Sequence, residues 1–452
     1  MSKKCWSHVP VGPASVAVAR NAKFCTDCGN CVSACAESIG PAKHWLDGEY
    51  FACVSCGQCI AACPEQALTV KSQLEQVQAA IDDPEKIVIF STSPAVRVGL
   101  GDAFGYPPGS FVEGKMVHAL RLLGGDYVFD VTFGADLTIM EECTEFLYRV
   151  LAGKGVLPQF TSCCPAWVKY AETYLPQLLP HLSTAKSPIA MQGATIKTYF
   201  AKLKGLDPKR IVSVAVTPCV AKKMEINRPE LASAATELDI PELRDNDYVI
   251  TTKELAQWLQ NRHISFDTLV EGDFDQLLGR GSGAGVIFGS TGGVMEAALR
   301  MAYATLTGKA PDELLLQYEP VRGLADFKGA TVTIGDKTIR VAVLYGTENV
   351  AAHLDELLKE YHFVEVMTCP GGCISGAGQP EGTILPVADS LRKARMDSLY
   401  AADAATTMKT CLDNPDISSV YTQFYGQPLS EKSERLLHTT YTDCSKRRGL
   451  KK

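Results

Sequence analysis

The sequence predicts an α/β body built on parallel sheets, preceded by a small α+β domain rich in cysteine. Eight of the 17 cysteines lie between residues 25 and 63. Beyond about residue 85, short apolar runs that end in turn residues alternate with amphipathic stretches, which is the pattern of strands and helices in a parallel sheet. A chain of 452 residues is long enough for about two to four domains.

Composition and charge narrow the class of protein. The chain is 46% hydrophobic and 21% charged, as ordinary globular proteins are. Its net charge of −7 argues against a nucleic-acid partner, and the lack of an apolar run of about 18–20 residues argues against a membrane span. We expect residues 1–20 to form an N-terminal arm without a secretory signal, because proline and glycine interrupt its apolar residues. Cysteines at ligand-like spacings predict reduced thiolates that hold metal, and hence a cytoplasmic protein.

The cysteine-rich segment contains one spacing twice. FCTDCGNCVSACAE and FACVSCGQCIAACPE each read C-x2-C-x2-C-x3-C, the pattern of bacterial ferredoxins, in which the fourth cysteine of each run binds the other cluster. We therefore predict a ferredoxin-like domain over 21–84 that carries single electrons on two [4Fe–4S] clusters. A zinc ribbon, the alternative, leaves the third and fourth cysteine of each run unexplained. The predicted ligands are Cys25, Cys28, Cys31 and Cys63 for one cluster, and Cys35, Cys53, Cys56 and Cys59 for the other.

The body follows as a series of predicted strands and helices. We expect strands in KIVIFSTSP, YVFDVTFG, IVSVAVTPC, DYVITT, GVIFGSTGG, IRVAVLYG and FVEVMTCPGG. Helices are predicted in DLTIMEECTEFLYRV, VMEAALRMAYATL and AAHLDELLKEYH, and ligands are expected beyond the carboxyl ends of the strands. A nucleotide is not expected. The glycine-rich loops GRGSGAGVIFGSTGG and LYGTENVAAHL lack the Gly-Lys-Ser/Thr sequence, and the first G-x-G precedes a predicted strand.

Three predicted strand ends carry cysteines in longer motifs, namely TSCCPAW, TPCVAKKME and MTCPGGCISGAGQP. Together with the ferredoxin repeat, these motifs resemble those of the [FeFe]-hydrogenases, in the same order and over residues 21–443. The resemblance is to the group B-like members with a two-cluster relay. It implies two lobes around a buried cluster, with a catalytic domain over 85–385, a C-terminal segment over 386–443 that wraps it, and a basic tail over 444–452.

The resemblance also implies the cofactor, an H-cluster made of a [4Fe–4S] cubane and a two-iron subsite with CO, CN and azadithiolate ligands. Four cysteines would hold the cubane, and the last of them would bridge to the two irons: Cys164, Cys219, Cys369 and Cys373. The paired glycines of CPGGC would let the last two ligands turn toward one metal. Lys222 would bind a cyanide ligand through a charge-assisted hydrogen bond. Other residues implied to line the cofactor are Pro94, Pro218, Phe288 and Met367.

The adjacent cysteines of TSCCPAW raise a separate question, since one metal centre rarely takes two neighbouring residues as ligands. The resemblance gives Cys163 the task of an acid–base thiol that passes protons to the two-iron subsite. Protons would reach it along Glu142, Glu145 and Ser183. The two glutamates are spaced i and i+3 on one face of a predicted helix. Without the resemblance, such a pair would more commonly be a solvated helix face.

Several residues near the expected cofactor depart from the family pattern: Ala95, Ile189, Ala190, Thr217 and Ala377. These departures bear on the rate and preferred direction of the reaction and on its sensitivity to oxygen. They leave the predicted cluster ligands unchanged. No motif accounts for four further cysteines, Cys5, Cys143, Cys411 and Cys444. CWSH near the N-terminus is a weak metal-binding hypothesis.

The predicted function is the reversible reduction of protons to H2 with electrons exchanged with a soluble ferredoxin-like carrier. Hydrogenase maturation proteins are expected partners, since nothing in the sequence could synthesise cyanide or the dithiolate. One alternative is a hydrogen sensor, which would typically lack the acid–base thiol and carry added signalling domains. The other is a non-catalytic relative that assembles iron–sulfur clusters, which would lack the pocket lysine and the proton route.

Overall fold

The structure is a computed structural model that describes residues 7–380 and 388–446. Cys5 and the end of the predicted basic tail, from residue 447 onward, lie outside the described residues. Within the two described ranges, no helix is both long and apolar enough to cross a lipid bilayer.

Strands and helices alternate along most of the body. The strands are β1 Val18–Arg20, β2 Leu68–Val70, β3 Ile87–Thr92, β4 Tyr127–Asp130, β5 Gln159–Phe160, β6 Ile211–Thr217, β7 Tyr248–Thr251, β8 Phe327–Ile334, β9 Lys337–Tyr345 and β10 Phe363–Met367. The α-helices are α1 Asn30–Ala34, α2 Pro41–Leu46, α3 Gln58–Ala61, α4 Leu74–Asp82, α5 Glu113–Leu122, α6 Val131–Ala152, α7 Pro165–Tyr174, α8 Pro188–Thr195, α9 Ala201–Lys204, α10 Lys222–Glu225, α11 Ser233–Leu238, α12 Thr252–Asn261, α13 Gly283–Val286, α14 Gly293–Thr307, α15 Glu313–Leu316, α16 Thr347–Ala352, α17 Leu354–Glu360, α18 Asp389–Ala405, α19 Pro415–Val420 and α20 Glu431–Leu437.

The N-terminal part combines a two-stranded sheet with short helices that carry the cysteine runs. Strands β1 and β2 pair antiparallel, with Ala19 opposite Thr69. Helices α1 and α3 each begin after a glycine in the left-handed region, Gly29 and Gly57. Those glycines turn the chain sharply within the cysteine run, because φ near +80° is costly for residues with a side chain.

The first sheet of the body has the strand order β4-β3-β6-β7, and all of its pairs are parallel. Every residue of β6 is buried, as expected for a strand covered on both faces. The predicted parallel sheet is confirmed here. Because parallel strands end at one edge, the loops after β3 and β6 meet at the same side of the body.

The second sheet has the order β5-β10-β9-β8 and is mixed. Strand β10 runs parallel to β5 and β9, whereas β8 and β9 form an antiparallel hairpin. The prediction of parallel sheets is therefore wrong at this edge. Strand β8 was not predicted, because its burial alternates along FKGATVTI and the segment contains no continuous apolar run. Gly335 takes φ of 61° in the two-residue turn, a conformation that hairpin turns favour.

The predicted strand GVIFGSTGG is also wrong, since the structure has α13 followed by a 3-10 turn over Ile287–Gly289. Asp136 of α6 accepts hydrogen bonds from the amide (2.8 Å) and hydroxyl (2.6 Å) of Ser282, which caps α13. A Cβ at Gly281 would lie 2.2 Å from the hydroxyl of Thr132, so the glycines serve close packing on α6. A short, wholly buried segment shows no periodicity that separates strand from helix.

Helix α6 is the central helix of the body and is buried along most of its length. It begins where Asp130 accepts a hydrogen bond of 3.0 Å from the amide of Thr132, and it ends at Gly153 in the left-handed region. It packs against α8, α13 and α14. The C-terminal helices pack on the same body; Arg395 of α18, for example, binds Asp102 at 2.6 Å. The predicted domain boundaries remain predictions.

Candidate active site

A buried cavity lies where the loops after β3, β6 and β10 meet the start of α7. Its walls include all ten residues that the sequence predicted around the cofactor or beside it, namely Pro94, Cys163, Cys164, Pro218, Cys219, Lys222, Phe288, Met367, Cys369 and Cys373. They come from segments far apart in the chain. The lining is otherwise mostly apolar, and it includes the departing residues Ala95, Ile189 and Thr217.

Local backbone geometry explains how the third motif brings two cysteines to one cavity. Gly371 and Gly372 take φ of 77° and 100°, values that other residues rarely adopt. A Cβ on Gly372 would also lie 2.6 Å from the backbone nitrogen of Thr291. Gly371 is therefore required for its backbone conformation. Gly372 is required for its conformation and also for the close approach of Thr291.

Four thiols converge in this cavity and fit an iron–sulfur cluster. They belong to Cys164 at the N-cap of α7, Cys219 after β6, and Cys369 and Cys373 after β10. Burial raises the pKa of Cys369 well above its usual range, and the neighbouring thiols of Cys219 and Cys164 raise it further. Burial and Cys164 likewise raise the pKa of Cys219 to about 12. The described cysteines are free thiols. Such a set favours a soft metal, which would bind the thiolates and replace their protons.

Lys222 supplies a fixed cation in the wall of the cavity. Its ammonium group lies 2.8 Å from Glu225 and donates a hydrogen bond of 3.1 Å to the carbonyl of Cys163. Burial tends to lower its pKa, but the charges of Glu225 and Cys219 outweigh that effect and leave the pKa raised. The lysine thus stays protonated, and it can bind an anionic or strongly accepting group inside the cavity.

Cys163 has different surroundings from its neighbour. Burial raises the pKa of its thiol well above the usual range, and Glu142 and Cys164 raise it further. The Cys163 thiol therefore keeps its proton near neutral pH, while facing the cavity that the four candidate ligands share. A protonated thiol at such a place can donate a proton and recover it.

The three predicted proton-route residues lie close to one another, and Glu142 is near enough to Cys163 for its charge to raise the pKa of that thiol. Glu142 is fully buried, and neither of its carboxylate oxygens has a hydrogen-bond partner among the described residues. Burial, followed by the charge of Glu145, raises its pKa to about 8. The hydroxyl of Ser183 donates a hydrogen bond of 2.8 Å to Glu145. Ser183 is also near enough to Glu142 to lower its pKa, so Glu142 can connect Cys163 to the Ser183–Glu145 pair.

The sequence reasoning missed the groups that hold Glu145. Arg149 binds its carboxylate at 2.6 Å, and the amide of Thr184 donates to it at 3.0 Å. The i and i+4 spacing of Glu145 and Arg149 was a signal that could have been read from the sequence. The contact with Thr184 comes from a distant loop and had no such signal.

The eight N-terminal cysteines fall into the two predicted groups. Cys25, Cys28, Cys31 and Cys63 line one pocket at the surface, and Cys28 is exposed. Burial raises the pKa of all four members of the other group, Cys35, Cys53, Cys56 and Cys59. Thiols of the same group raise the pKa of Cys35, Cys56 and Cys59 further. The pairing of Cys63 with the first run and of Cys35 with the second matches the crossed pattern of bacterial ferredoxins.

The inner group abuts the cavity of the body. Burial and the nearer thiols raise the pKa of Cys369 most, and Cys56 of the inner group raises it further. A Cβ on Gly57 would lie 2.9 Å from the side chains of Val220 and Ala377, so the two parts meet closely. Gln58 donates a hydrogen bond of 3.3 Å to the carbonyl of Ser375. Short separation between the two groups of thiols suits electron transfer between the metals they would hold.

Three cysteines of the described residues match no motif, and they lie outside the cavity. Cys143 and Cys411 are buried in the body, and the thiol of Cys143 lies 3.4 Å from the carbonyl of Ala298. The amide of Cys444 donates to the carbonyl of Glu172 at 2.8 Å. Of the CWSH segment, His8 lies near the outer group, with its ligand atom within 4.8 Å of those of Cys25 and Asp27.

We expect Glu142→Gln to stabilise the protein increasingly as pH rises from 5 to 8. The pKa of Glu142 is raised from 4.5 to about 8, so in this window the folded state keeps a proton that the unfolded chain has lost. Wild-type stability therefore falls with rising pH, by at most about 1.4 kcal/mol per pH unit. Glutamine removes this loss. Thermal unfolding midpoints of both proteins across the window measure the difference.

Glu145→Gln is the matched control for this experiment. It weakens the contact with Arg149, so it is expected to lower the unfolding midpoint instead of raising it. A difference between wild type and Glu142→Gln that stays constant with pH would contradict the account, because it would mean that Glu142 is already ionised in the folded protein.

Four thiols in one cavity, a fixed cation and a second set of grouped cysteines define an iron–sulfur redox protein. Residues 86–377 match the family model described as iron only hydrogenase large subunit, C-terminal domain, and residues 389–444 match that of the iron hydrogenase small subunit. The chain therefore belongs to the [FeFe]-hydrogenase family.

Individual relatives agree with this assignment. The chain is 46% identical over 92% of its length to the NADP-reducing hydrogenase subunit HndD of Solidesulfovibrio fructosivorans, of which it spans 66%. An [FeFe]-hydrogenase structure from Chlamydomonas reinhardtii matches with a TM-score of 0.72 and 37% identity, over 84% of this chain and 100% of that one. A more distant relative is cytosolic iron–sulfur assembly component 3 of Bos taurus, 32% identical over 80% of this chain and 76% of that protein.

Proposed function

We propose that this protein is an enzyme that reversibly reduces protons to H2. The observation that carries the proposal is the partly buried Cys163 thiol, which faces the same cavity as four candidate cluster ligands and is followed by Glu142, Ser183 and Glu145. A cavity that only stored a cluster would need the four ligands and no acid–base groups behind them.

The residues present would hold an H-cluster. Cys164, Cys219, Cys369 and Cys373 would bind its cubane, and Lys222 would donate a hydrogen bond to a cyanide ligand. When bound, this cofactor supplies the iron chemistry that makes and splits H2. The apolar lining excludes bulk water from the cavity, which strengthens the electrostatic effect of Lys222.

The residues of the chain would bind and release protons at particular side-chain atoms. The sulfur of Cys163 gives up a proton toward the cavity and regains one from the side of Glu142. Because the pKa of Glu142 is about 8, its carboxyl group exchanges protons readily near neutral pH. The hydroxyl of Ser183 can accept a proton from one neighbour while donating its own to Glu145, at 2.8 Å.

The grouped N-terminal cysteines would hold two [4Fe–4S] clusters that exchange electrons with a soluble ferredoxin-like carrier. The exposed Cys28 puts the outer group at the surface, where a carrier could approach. Hydrogenase maturation proteins would supply the two-iron subsite, and a reducing cytoplasm would suit the free thiols.

Two other functions fit parts of the site. The relationship to iron–sulfur assembly component 3 favours an assembly role, yet such a role gives no reason for the buried Lys222 or for the unpaired carboxylate of Glu142. A hydrogen sensor would keep the cofactor and would not need Cys163. Both therefore explain less of the cavity than an enzyme does.

Infrared spectroscopy and a hydrogen assay test the proposed function. Protein produced with the maturation enzymes is expected to show iron-bound carbonyl and cyanide bands and to evolve H2 from a reduced viologen dye. Bands without turnover would favour the sensor. Clusters without any such bands would favour the assembly relative.

We expect Glu145→Gln and Ser183→Ala each to slow H2 evolution by about tenfold or more, because each breaks the same hydrogen-bonded step of the proton route. The infrared bands should stay those of wild type, since neither side chain lines the cavity that contains the four candidate ligands. Glu434→Gln is the control. The carboxylate of Glu434 and that of Glu145 line the same surface cavity, a second cavity separate from the one that contains Cys163. Glu434 takes no part in the hydrogen bond between Ser183 and Glu145. Equal losses in all three variants would argue against a defined route.

A further inference from the structure

We propose that His438 exchanges protons between the Glu145 end of the route and solvent. The inference rests on the proposed function and adds a residue from the C-terminal segment that the predicted route did not contain. Three observations carry it: an open cavity shared with Glu145, a buried carboxylate behind the imidazole, and a hydroxyl that can follow a change in the imidazole's protonation.

The shared cavity has a volume of about 650 Å³, which is ample for water molecules. Glu145, Thr184 and His438 all line it. The position of His438 is fixed by the backbone, because residues 185 and 438 form an antiparallel bridge and the amide of Thr439 donates to the carbonyl of Thr184 at 2.8 Å. The imidazole is therefore held beside the last carboxylate of the route.

The carboxylate of Glu141 lies behind the imidazole and is completely buried. It accepts hydrogen bonds from the hydroxyl of Tyr421, from the amide of Leu429 at 2.8 Å and from Nε2 of His438 at 3.0 Å. An ionised carboxylate can only accept, so Nε2 of His438 carries a hydrogen. The carboxylate therefore holds the imidazole in one orientation, with Nδ1 on the side of Thr184.

The other ring nitrogen has a partner that tolerates both protonation states. Nδ1 of His438 lies 2.7 Å from the hydroxyl oxygen of Thr184. In the neutral ring Nδ1 accepts the hydroxyl hydrogen, and in the protonated ring it donates to the same oxygen. Only the hydroxyl has to rotate, so His438 can gain and lose a proton while the heavy atoms stay in place.

Glu145 needs such a neighbour, because its own oxygens are occupied. One oxygen binds Arg149, and the other accepts from Ser183 and from the amide of Thr184. In the proposed step a proton leaves the Glu145 carboxyl group and crosses water in the cavity to the hydroxyl oxygen of Thr184, which passes its own hydrogen to Nδ1 of His438; the reverse relay releases a proton to solvent, and no electron moves. The titratable or charged groups that face the imidazole or its cavity are Glu141, Glu145, Tyr148, Arg149, Lys154, Tyr421 and Glu434.

The test compares His438→Gln and His438→Ala with wild type in the matured full-length enzyme. Both variants should lose about tenfold in H2 evolution, with unchanged carbonyl and cyanide bands. Added imidazole should restore turnover to His438→Ala in proportion to its unprotonated concentration. His181→Gln is the control, because this ring binds the carbonyl of Pro158 and does not line the cavity. Wild-type turnover in both variants, or a loss that imidazole does not restore, would overturn the inference.

A second measurement does not depend on hydrogenase activity. In full-length protein with 15N-labelled histidine, the signal that His438→Gln removes should titrate between pH 5 and 9 and show hydrogen on Nε2 in the neutral form. A signal that keeps one protonation state over this range would overturn the inference. Failure of the wild-type protein to evolve H2 would instead refute the proposed function and leave this result interpretable.

Discussion

Cys163→Ala is expected to lower H2 turnover by about 10²–10⁴-fold while leaving the cofactor assembled. The thiol faces the cavity, and its pKa is raised by burial and by the nearby carboxylate of Glu142, so it lies between the proposed proton route and the cavity. Removing it should therefore interrupt proton transfer without removing a ligand. Hydrogen evolution and infrared spectra of the matured variant measure the two effects separately.

Substitutions that differ in acidity sharpen this experiment. Cys163→Asp should recover part of the turnover, because a carboxyl group of short reach can also donate a proton and regain it. Cys163→Ser should recover little, since a hydroxyl group is a much weaker acid than a thiol. Cys411→Ala is the control, because Cys411 is a buried cysteine of the same body that lies outside the cavity. Turnover close to wild type in Cys163→Ala would refute the acid–base role.

Cys164→Ala is expected to abolish assembly of the cofactor in the body. Its thiol is one of four that converge on one cavity from three loops, and a cubane needs all four. The two clusters of the N-terminal part should remain, since their cysteines form separate groups. Iron analysis should therefore show a loss of about four irons per chain before maturation, and the matured variant should lack carbonyl and cyanide bands.

The neighbouring substitution is the matched comparison for this result. Cys163→Ala and Cys164→Ala remove the same atom from adjacent residues at the same turn, so general damage to the turn would affect both alike. Iron loss at residue 163 with retention at residue 164 would reverse the two assignments. Retention in both variants would mean that the cubane is bound elsewhere.

Much of the candidate site could be predicted because its chemistry is encoded locally. Cysteines separated by two or three residues are close in space whatever the rest of the fold does, so the ferredoxin repeat predicts ligands directly. The same holds for Cys369 and Cys373, whose approach depends on the two glycines between them. The resemblance to [FeFe]-hydrogenases then joined motifs that spacing alone could not connect.

The errors in the fold have physical causes in particular segments. GVIFGSTGG is almost wholly buried, so its apolar character does not reveal whether it is strand or helix. The choice is made by close packing on α6 and by Ser282, which caps α13 while it donates a hydrogen bond to Asp136. Strand β8 escaped prediction for the opposite reason, because its exposed positions are polar and small. In both cases the neighbouring elements decided the structure.

The sequence by itself determined which thiols can bind metal and which glutamates stand on one helix face, because those relations span only a few residues. The tertiary structure alone decided which groups surround them. Glu141 and His438 are 297 residues apart in the chain and meet at 3.0 Å only because the C-terminal segment pairs with residue 185. The raised pKa of Glu142 likewise depends on burial by the whole body. Desolvation and long-range contacts are properties of packing, and no local spacing of residues specifies them.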